Sequence, residues 1–282
     1  MCSNLKLCVA AAVVCVASST PIKADSIPLF VYQFPNSCSD LGPGGIIVND
    51  LGAGNHDATP GWYSDMGLST DVPAGMSGKS VDFLGASDMR VIFTADKRLL
   101  NTSDVAAQGG FVYDTWFKPT MDDLDGRRTK LIDYDGTEAL ELHNGRLLFR
   151  VSDSGASIYS APLTADTWHH ATAVFDTLGN PALDDPAHPG FMKVTGEIRL
   201  YLDNTLLNTV AAVKDGYGDS EDPVMSIGRY APPHNLYNYS GLIYNPQVWL
   251  GTEVGTVPEP STAILSAIGA GGLLCYAWRK RR

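Results

Sequence analysis

From residue 27 to residue 250 the chain alternates apolar and polar residues over short runs, each broken by Gly, Asp, Asn or Pro. In Glu197–Asp203, Ile198, Leu200 and Leu202 share one face, while Glu197, Arg199, Tyr201 and Asp203 share the other. In Arg146–Val151, Leu147, Phe149 and Val151 oppose Arg146 and Arg150. Period two with one polar face predicts antiparallel strands packed on one side. The same reading predicts strands at Leu29–Phe34, Ser80–Leu84, Arg90–Thr94, Gly110–Lys118, Lys130–Tyr134, Ala139–His143, Arg146–Ser152 and Trp168–Asp176. Others are expected at Glu197–Asp203, Leu206–Val213, Val224–Gly228 and Tyr239–Leu250. His143-Asn144-Gly145 predicts a hairpin turn, because Asn-Gly accepts positive φ at both positions, and Leu202–Thr205 can turn in the same way. No helical pattern of about ten residues, a length typical of globular helices, interrupts the series. Leu178–Lys193, with its three prolines, reads as a surface loop between core strands. The expected fold is all-β, an antiparallel sandwich or jelly roll spanning residues 25–251.

The two ends lose the alternation. Lys6 precedes an apolar run, Leu7 to Ala17, and small or polar residues follow up to Ala24. That order predicts a secretory signal peptide over 1–24. At the other end a linker, 252–256, leads to Val257, Pro258, Glu259 and Pro260. An uncharged apolar stretch at 262–278 comes next, and Arg279, Lys280, Arg281 and Arg282 close the chain. The stretch is long enough to cross a bilayer as a helix, and the basic cluster holds that end in the cytoplasm. The body is therefore expected on the far side of the membrane. Residues 257–282 resemble the PEP-CTERM sorting signal of exported proteins in Gram-negative, exopolysaccharide-producing bacteria. The resemblance implies an exosortase partner that reads Val257–Pro260 and a membrane-held intermediate. The final address it implies is the cell surface or extracellular matrix.

Setting the two targeting segments aside changes the charge. Residues 25–278 hold 14 Lys and Arg against 31 Asp and Glu, a net charge of −17. Such an excess disfavours nucleic acid as a partner and suits a soluble exported domain. Of the five cysteines, Cys2, Cys8 and Cys15 fall in the signal and Cys275 in the apolar tail. Cys38 alone remains, so the expected body has no internal disulfide and must be held by its core. Neither Cys8 nor Cys15 follows the small residue that a lipobox requires.

Asp166-Thr167-Trp168-His169-His170, followed by Gly196-Glu197-Ile198-Arg199-Leu200-Tyr201-Leu202-Asp203, resembles a strand pair of LamG-like, concanavalin A-like jelly rolls. Asn49–Asp57, Gly78–Phe83, Tyr113–Pro119, Met225–Gly228 and Tyr239–Ile243 resemble further pieces of that family, in its order. The resemblance runs from about Pro28 to Leu250. It implies a binding or structural module whose loops carry a glycan or protein ligand. It also makes Asp50 and Asn55, on the early loop, candidates for a structural calcium. The closing strand departs from the family: Tyr244 and Asn245 stand where relatives carry two acids, which removes a candidate carboxylate.

No catalytic residue is assigned from the sequence, and the chain is expected not to be an enzyme. Glu138 and Glu141 are the close glutamate pair, but their spacing on a strand sends them to opposite faces, whereas retaining glycosidases need both in one cleft. The alternatives are a glycan-degrading hydrolase with another carboxylate pair and a purely architectural surface protein. His169 and His170, adjacent on a strand, point apart and cannot share one ion, so no metal site is assigned there. Asp122, Asp123 and Asp125, Asp133 and Asp135, and Asp219, Glu221 and Asp222 form acidic loop clusters, none matching an EF-hand. The candidate ligand surface is the tyrosine-rich stretch carrying Tyr217, Tyr230, Tyr237 and Tyr239, with Asn235 and Asn238 among them. Aromatic faces with amide groups are suited to sugar rings and their hydroxyls. No cofactor other than that calcium is expected.

Overall fold

The computed structural model describes residues 27–31, 41–42, 45–46, 58–60, 67–83, 89–91, 100–134, 137–151, 155–216, 225–228 and 238–253. Their strands pair antiparallel throughout. In chain order they are β1 (Ile27–Val31), β2 (Leu41–Gly42), β3 (Gly45–Ile46), β4 (Ala58–Pro60), β5 (Gly67–Ser69), β6 (Ser80–Asp82) and β7 (Met89–Val91). A short helix, α1 (Thr102–Gln108), leads into β8 (Gly110–Lys118), and a single turn, α2 (Met121–Leu124), into β9 (Arg128–Tyr134). Next come β10 (Glu138–His143), β11 (Arg146–Val151), β12 (Ala156–Pro162), β13 (His169–Asp176) and β14 (Leu183–Asp184). The last are β15 (Met192–Leu202), β16 (Thr205–Asp215), β17 (Met225–Ile227) and β18 (Leu242–Leu250).

Two sheets hold nearly all of these strands. In the first, β13 and β14 lie end to end along one side of β15, whose other side carries β16. The sheet continues through β8 and β18 to β6 and β5, with β1 added to the last residues of β18. The second runs β12-β11-β10-β9-β17-β7-β4. Alternation on β8 sends Phe111, Tyr113 and Phe117 inward, where they meet Leu140, Leu142, Leu147 and Phe149 of the second sheet in one core. Phe149 sits edge-on to Phe111 and Tyr113, with centroids 6.3 and 6.1 Å apart. A fully buried side chain of this size contributes about 2–3 kcal/mol by leaving water. Shared burial by two half-polar sheets makes the molecule a β-sandwich.

The expected turns have the expected backbone. Asn144 and Gly145 lie at φ 52° and 70°, and Asp203 and Asn204 at 51° and 63°. β8 has the bounds expected of it; the other long strands agree to within three residues, except β15, which begins five residues before the expected Glu197. β12 went unread because Ile158 is its one large inward apolar residue; pairing with β11, which sets Ile158 opposite Phe149, makes it a strand. The Leu178–Lys193 insertion is more ordered than a loop: Leu183 and Asp184 pair with Lys193 and Met192. α1 is too short for a helical period to show, and its signals are its ends. Asn101 caps it by accepting from the Asp104 amide at 2.8 Å, and Gly109 closes it in the left-handed region. The expected signal peptide, the sorting tail and Cys38 lie outside the described residues. Among those described, no helix is long and apolar enough to cross a membrane.

Glu138 and Glu141 diverge as the strand period requires. Glu138 points between the sheets, where its carboxylate meets the Lys214 ammonium of β16 at 3.0 Å with both side chains fully buried. Thr137 also donates to it at 2.6 Å. Glu141 is on the opposite side of β10, where it pairs with Lys130 and lies 2.7 Å from Arg128 and 3.8 Å from Arg150. Burial pushes the Glu141 carboxyl up, but Lys130, Arg128 and Arg150 together outweigh it and hold the group below the usual carboxylate range.

Candidate functional site

The residues of β8 and β13 that alternate away from the core form a ladder across the outer face of the first sheet. Register sets Trp116 opposite His170 and Tyr244, Asp114 opposite Thr172 and Gln247, and Val112 opposite Val174 and Trp249. β15 extends two of these rows with Tyr201 beside Thr172 and Arg199 beside Val174. The ladder is apolar at one end and polar at the other. Val112, Val174 and Trp249 pack together under Tyr201 and are buried. One row along, Asp114 accepts from the Thr172 hydroxyl at 2.6 Å and lies 3.0 Å from His170 Nε2. In the next row the His170 ring stacks on Trp116, centroids 4.6 Å apart and planes 13° from parallel.

Beyond that row Trp168 precedes β13, and its indole Nε1 donates to Asp71 at 2.8 Å. Lys118, the last residue of β8, reaches the other oxygen of Asp71 at 2.7 Å. These two hydrogen bonds, Lys118 first, hold the Asp71 carboxyl below its ordinary range. Tyr244 is oriented by donating to the Ser77 carbonyl at 2.9 Å. Trp116, Trp168, His170, Tyr201 and Tyr244 are each half-buried, so the row is fixed by its partners and still reachable from solvent. The arrangement sets half-buried aromatic rings beside a half-buried hydroxyl and imidazole, with the Asp114 carboxylate buried beneath them.

Burial pulls the His170 pKa down, but the Asp114 hydrogen bond and charge, with Asn204 and Asp203, outweigh it and raise the group above its ordinary value. A raised folded value means that the ion pair stabilises the fold fully below the unfolded pKa of about 6.5. That contribution is lost as pH rises through the folded value. Asp114→Asn is therefore expected to move the His170 titration to lower pH, read from its ring protons by NMR. A midpoint unchanged by the substitution would show that Asp114 is not the cause.

His169 and His170 point to opposite sides, as adjacent strand residues must. His169 lies over Phe117, centroids 5.6 Å apart, and its Nδ1 is 3.0 Å from the Asp203 carboxylate. Of the tyrosines expected to form a ligand surface, Tyr217, Tyr230 and Tyr237 lie outside the described residues, as do Asp50, Asn55 and Asn235. Tyr239 is described and corrects the expectation: its ring is fully buried against Phe83, at a 6.2 Å centroid distance. Its hydroxyl donates to the Leu242 carbonyl at 3.2 Å, so this tyrosine serves the core and offers no face to a ligand. Asp123 is also structural, its carboxylate accepting from the Thr120 amide at 2.9 Å and the Ser240 amide at 2.8 Å. Among the described residues no His, Cys, Asp and Glu group is arranged to hold a metal ion. The Trp116–Trp168 row was missed in the sequence, although alternation along β8 and β13 already put Trp116, Lys118 and His170 on the polar side.

A family model described as the PEP-CTERM protein-sorting motif matches residues 256–282. The match marks an exported chain subject to exosortase-mediated sorting to the cell surface. A search of curated proteins finds no match. Among solved structures, Domain 4 of AbnA, a GH43 extracellular arabinanase from Geobacillus stearothermophilus, is similar at 14% identity with a TM-score of 0.52. The alignment covers 82% of this chain and 96% of that one. The binding domain of botulinum neurotoxin serotype D/C aligns at 12% identity and a TM-score of 0.51, covering 80% of this chain and 49% of the toxin domain. The serotype D binding domain gives 10% and 0.50, with 81% and 49% covered. The chain thus spans about half the length of the two toxin structures. At these identities the likeness shows the β-sandwich fold alone.

Proposed function

We propose that this chain is a non-enzymatic, LamG-like module of the cell surface or exopolysaccharide matrix, which binds a glycan on the outer face of its first sheet. The observation that carries the reading is the Trp116–His170 stack, half-exposed and braced by Asp114, with Trp168 beside it. Sugar rings pack their C–H faces on aromatic rings while their hydroxyls take paired donors and acceptors, and both kinds of group stand side by side here. The arabinanase domain of like fold was solved in complex with arabinotriose, a precedent for an oligosaccharide on this scaffold. Export to a polysaccharide-rich exterior supplies the ligand class. The reading needs no cofactor.

The test is a glycan array probed with the full-length protein in detergent, with calcium and then with chelator. Saturable binding to one glycan class is expected. Loss of one stacking ring is worth about 1.4 kcal/mol, so Trp116→Ala should weaken binding roughly tenfold. Binding to one class that Trp116→Ala and Trp168→Ala both leave intact would move the site elsewhere. Loss with chelator would return calcium to the account. Silence from folded protein would favour a protein ligand or an architectural role.

A further inference from the structure

We propose that, before its tail is cut, the molecule stands on the bilayer by the Leu178–Phe191 insertion, whose exposed apolar side chains contact the lipid surface. The proposal rests on the reading of residues 262–278 as a membrane span. The chain leaves the sandwich at the insertion's own end. Gly251 donates its amide to the Gly110 carbonyl at 2.9 Å, and Thr177 donates to the Gly109 carbonyl, also at 2.9 Å. At Gly110 a Cβ would collide with the Phe175 carbonyl, so the exit strand, the start of β8 and the end of β13 meet there without space between them. Leu178 follows directly, and α1 ends at the same corner.

Eight residues, Val254 to Ser261, separate the last described residue from the expected span. The nine steps from Glu253 to Thr262 span at most about 32 Å when fully extended, close to the roughly 30 Å of the nine residues of β8. Such a tether keeps the exit end within about one strand length of the membrane, and docking of the insertion there turns the Trp168–Asp71 end outward.

The side chains at the exit end suit that placement. Leu178 is 61% exposed, Leu183 60% and Phe191 36%, three of the six large apolar side chains so exposed among the described residues. They fall within fourteen residues of sequence, on a segment braced from inside. The Asp185 amide donates to the Phe191 carbonyl at 2.8 Å, and the Asp185 carboxylate meets His188 at 2.8 Å and Lys193 at 3.5 Å. The Lys193 contact offsets one of the two acidic charges, Asp184 and Asp185, that the segment carries. An apolar, exposed segment beside a membrane tether gains by burying those side chains in the interface.

Hydrogen exchange of the full chain in nanodiscs of phosphatidylethanolamine and phosphatidylglycerol, 3:1, tests this. Amides in 178–193 are expected to exchange more slowly than in the same chain freed of its tail. The protection should be lost in Leu178→Ser/Leu183→Ser/Phe191→Ser, while 69–80 and 162–168 exchange alike in all three samples. Equal exchange in 178–193, with the chain co-eluting with nanodiscs, would overturn the docking and leave the anchor standing. Failure to co-elute would overturn the anchor and the proposal with it. Protection that persists in the tail-free chain and rises with its concentration would assign the surface to contacts between copies, which also overturns the proposal.

Discussion

Lys214→Met is expected to destabilise the fold by about 3–5 kcal/mol, the cost of leaving a carboxylate buried without its cation. The ammonium it removes is the partner of Glu138 at 3.0 Å, and neither side chain has measurable exposure. Against a typical total of about 5–15 kcal/mol the loss is large. For a domain of this size it corresponds to a fall in Tm of roughly 10 °C. The pair joins β10 of one sheet to β16 of the other, so the loss also loosens the contact between sheets. Neutralising both partners, Glu138→Gln with Lys214→Met, is expected to recover most of the stability, because no charge then remains in the core. Thermal unfolding of the three proteins checks this. A single variant that melts with the wild type would show that Glu138 is protonated or rehydrated when its partner goes.

That pair also marks where the sequence stopped being informative. Period two on β10 put Glu138 and Glu141 on opposite faces, and the structure agrees. The partner of Glu138 lies 76 residues away, and no local pattern connects them. Lys214 falls just beyond the strand expected at Leu206–Val213. The turns at Asn144-Gly145 and Asp203-Asn204 were legible because positive φ is a property of one or two residues. β12 was not, because its strand character comes from pairing with β11. The tyrosine expectation failed at Tyr239 for a related reason: composition says that a ring is present, and only packing says which way it turns. Trp116 and His170 were recognisable singly as strand residues, but the stack between them exists only once β8 and β13 are in register.

The tail governs where all of this chemistry is displayed. Replacing Pro258, Glu259 and Pro260 together with alanine is expected to abolish processing and leave the uncut chain in the inner membrane. The substitutions spare the apolar stretch 262–278 and the cations Arg279 to Arg282. Insertion and orientation, which depend on those two features, should therefore be unchanged, and what is lost is recognition by the exosortase. Fractionation followed by gel mobility separates the outcomes. A full-length membrane species with none released is the expected result, whereas release at the wild-type level would show that the Pro/Glu motif is not what the enzyme reads. The same variant prolongs the state in which the eight-residue tether holds Leu178, Leu183 and Phe191 at the bilayer. Trp116 and Trp168 would then stay turned outward, so glycan capture by intact spheroplasts should persist in a mutant that cannot be released. On the two proposals anchoring and ligand binding are separable: one is assigned to the tail with the exit end of the sandwich, the other to the opposite half of its first sheet.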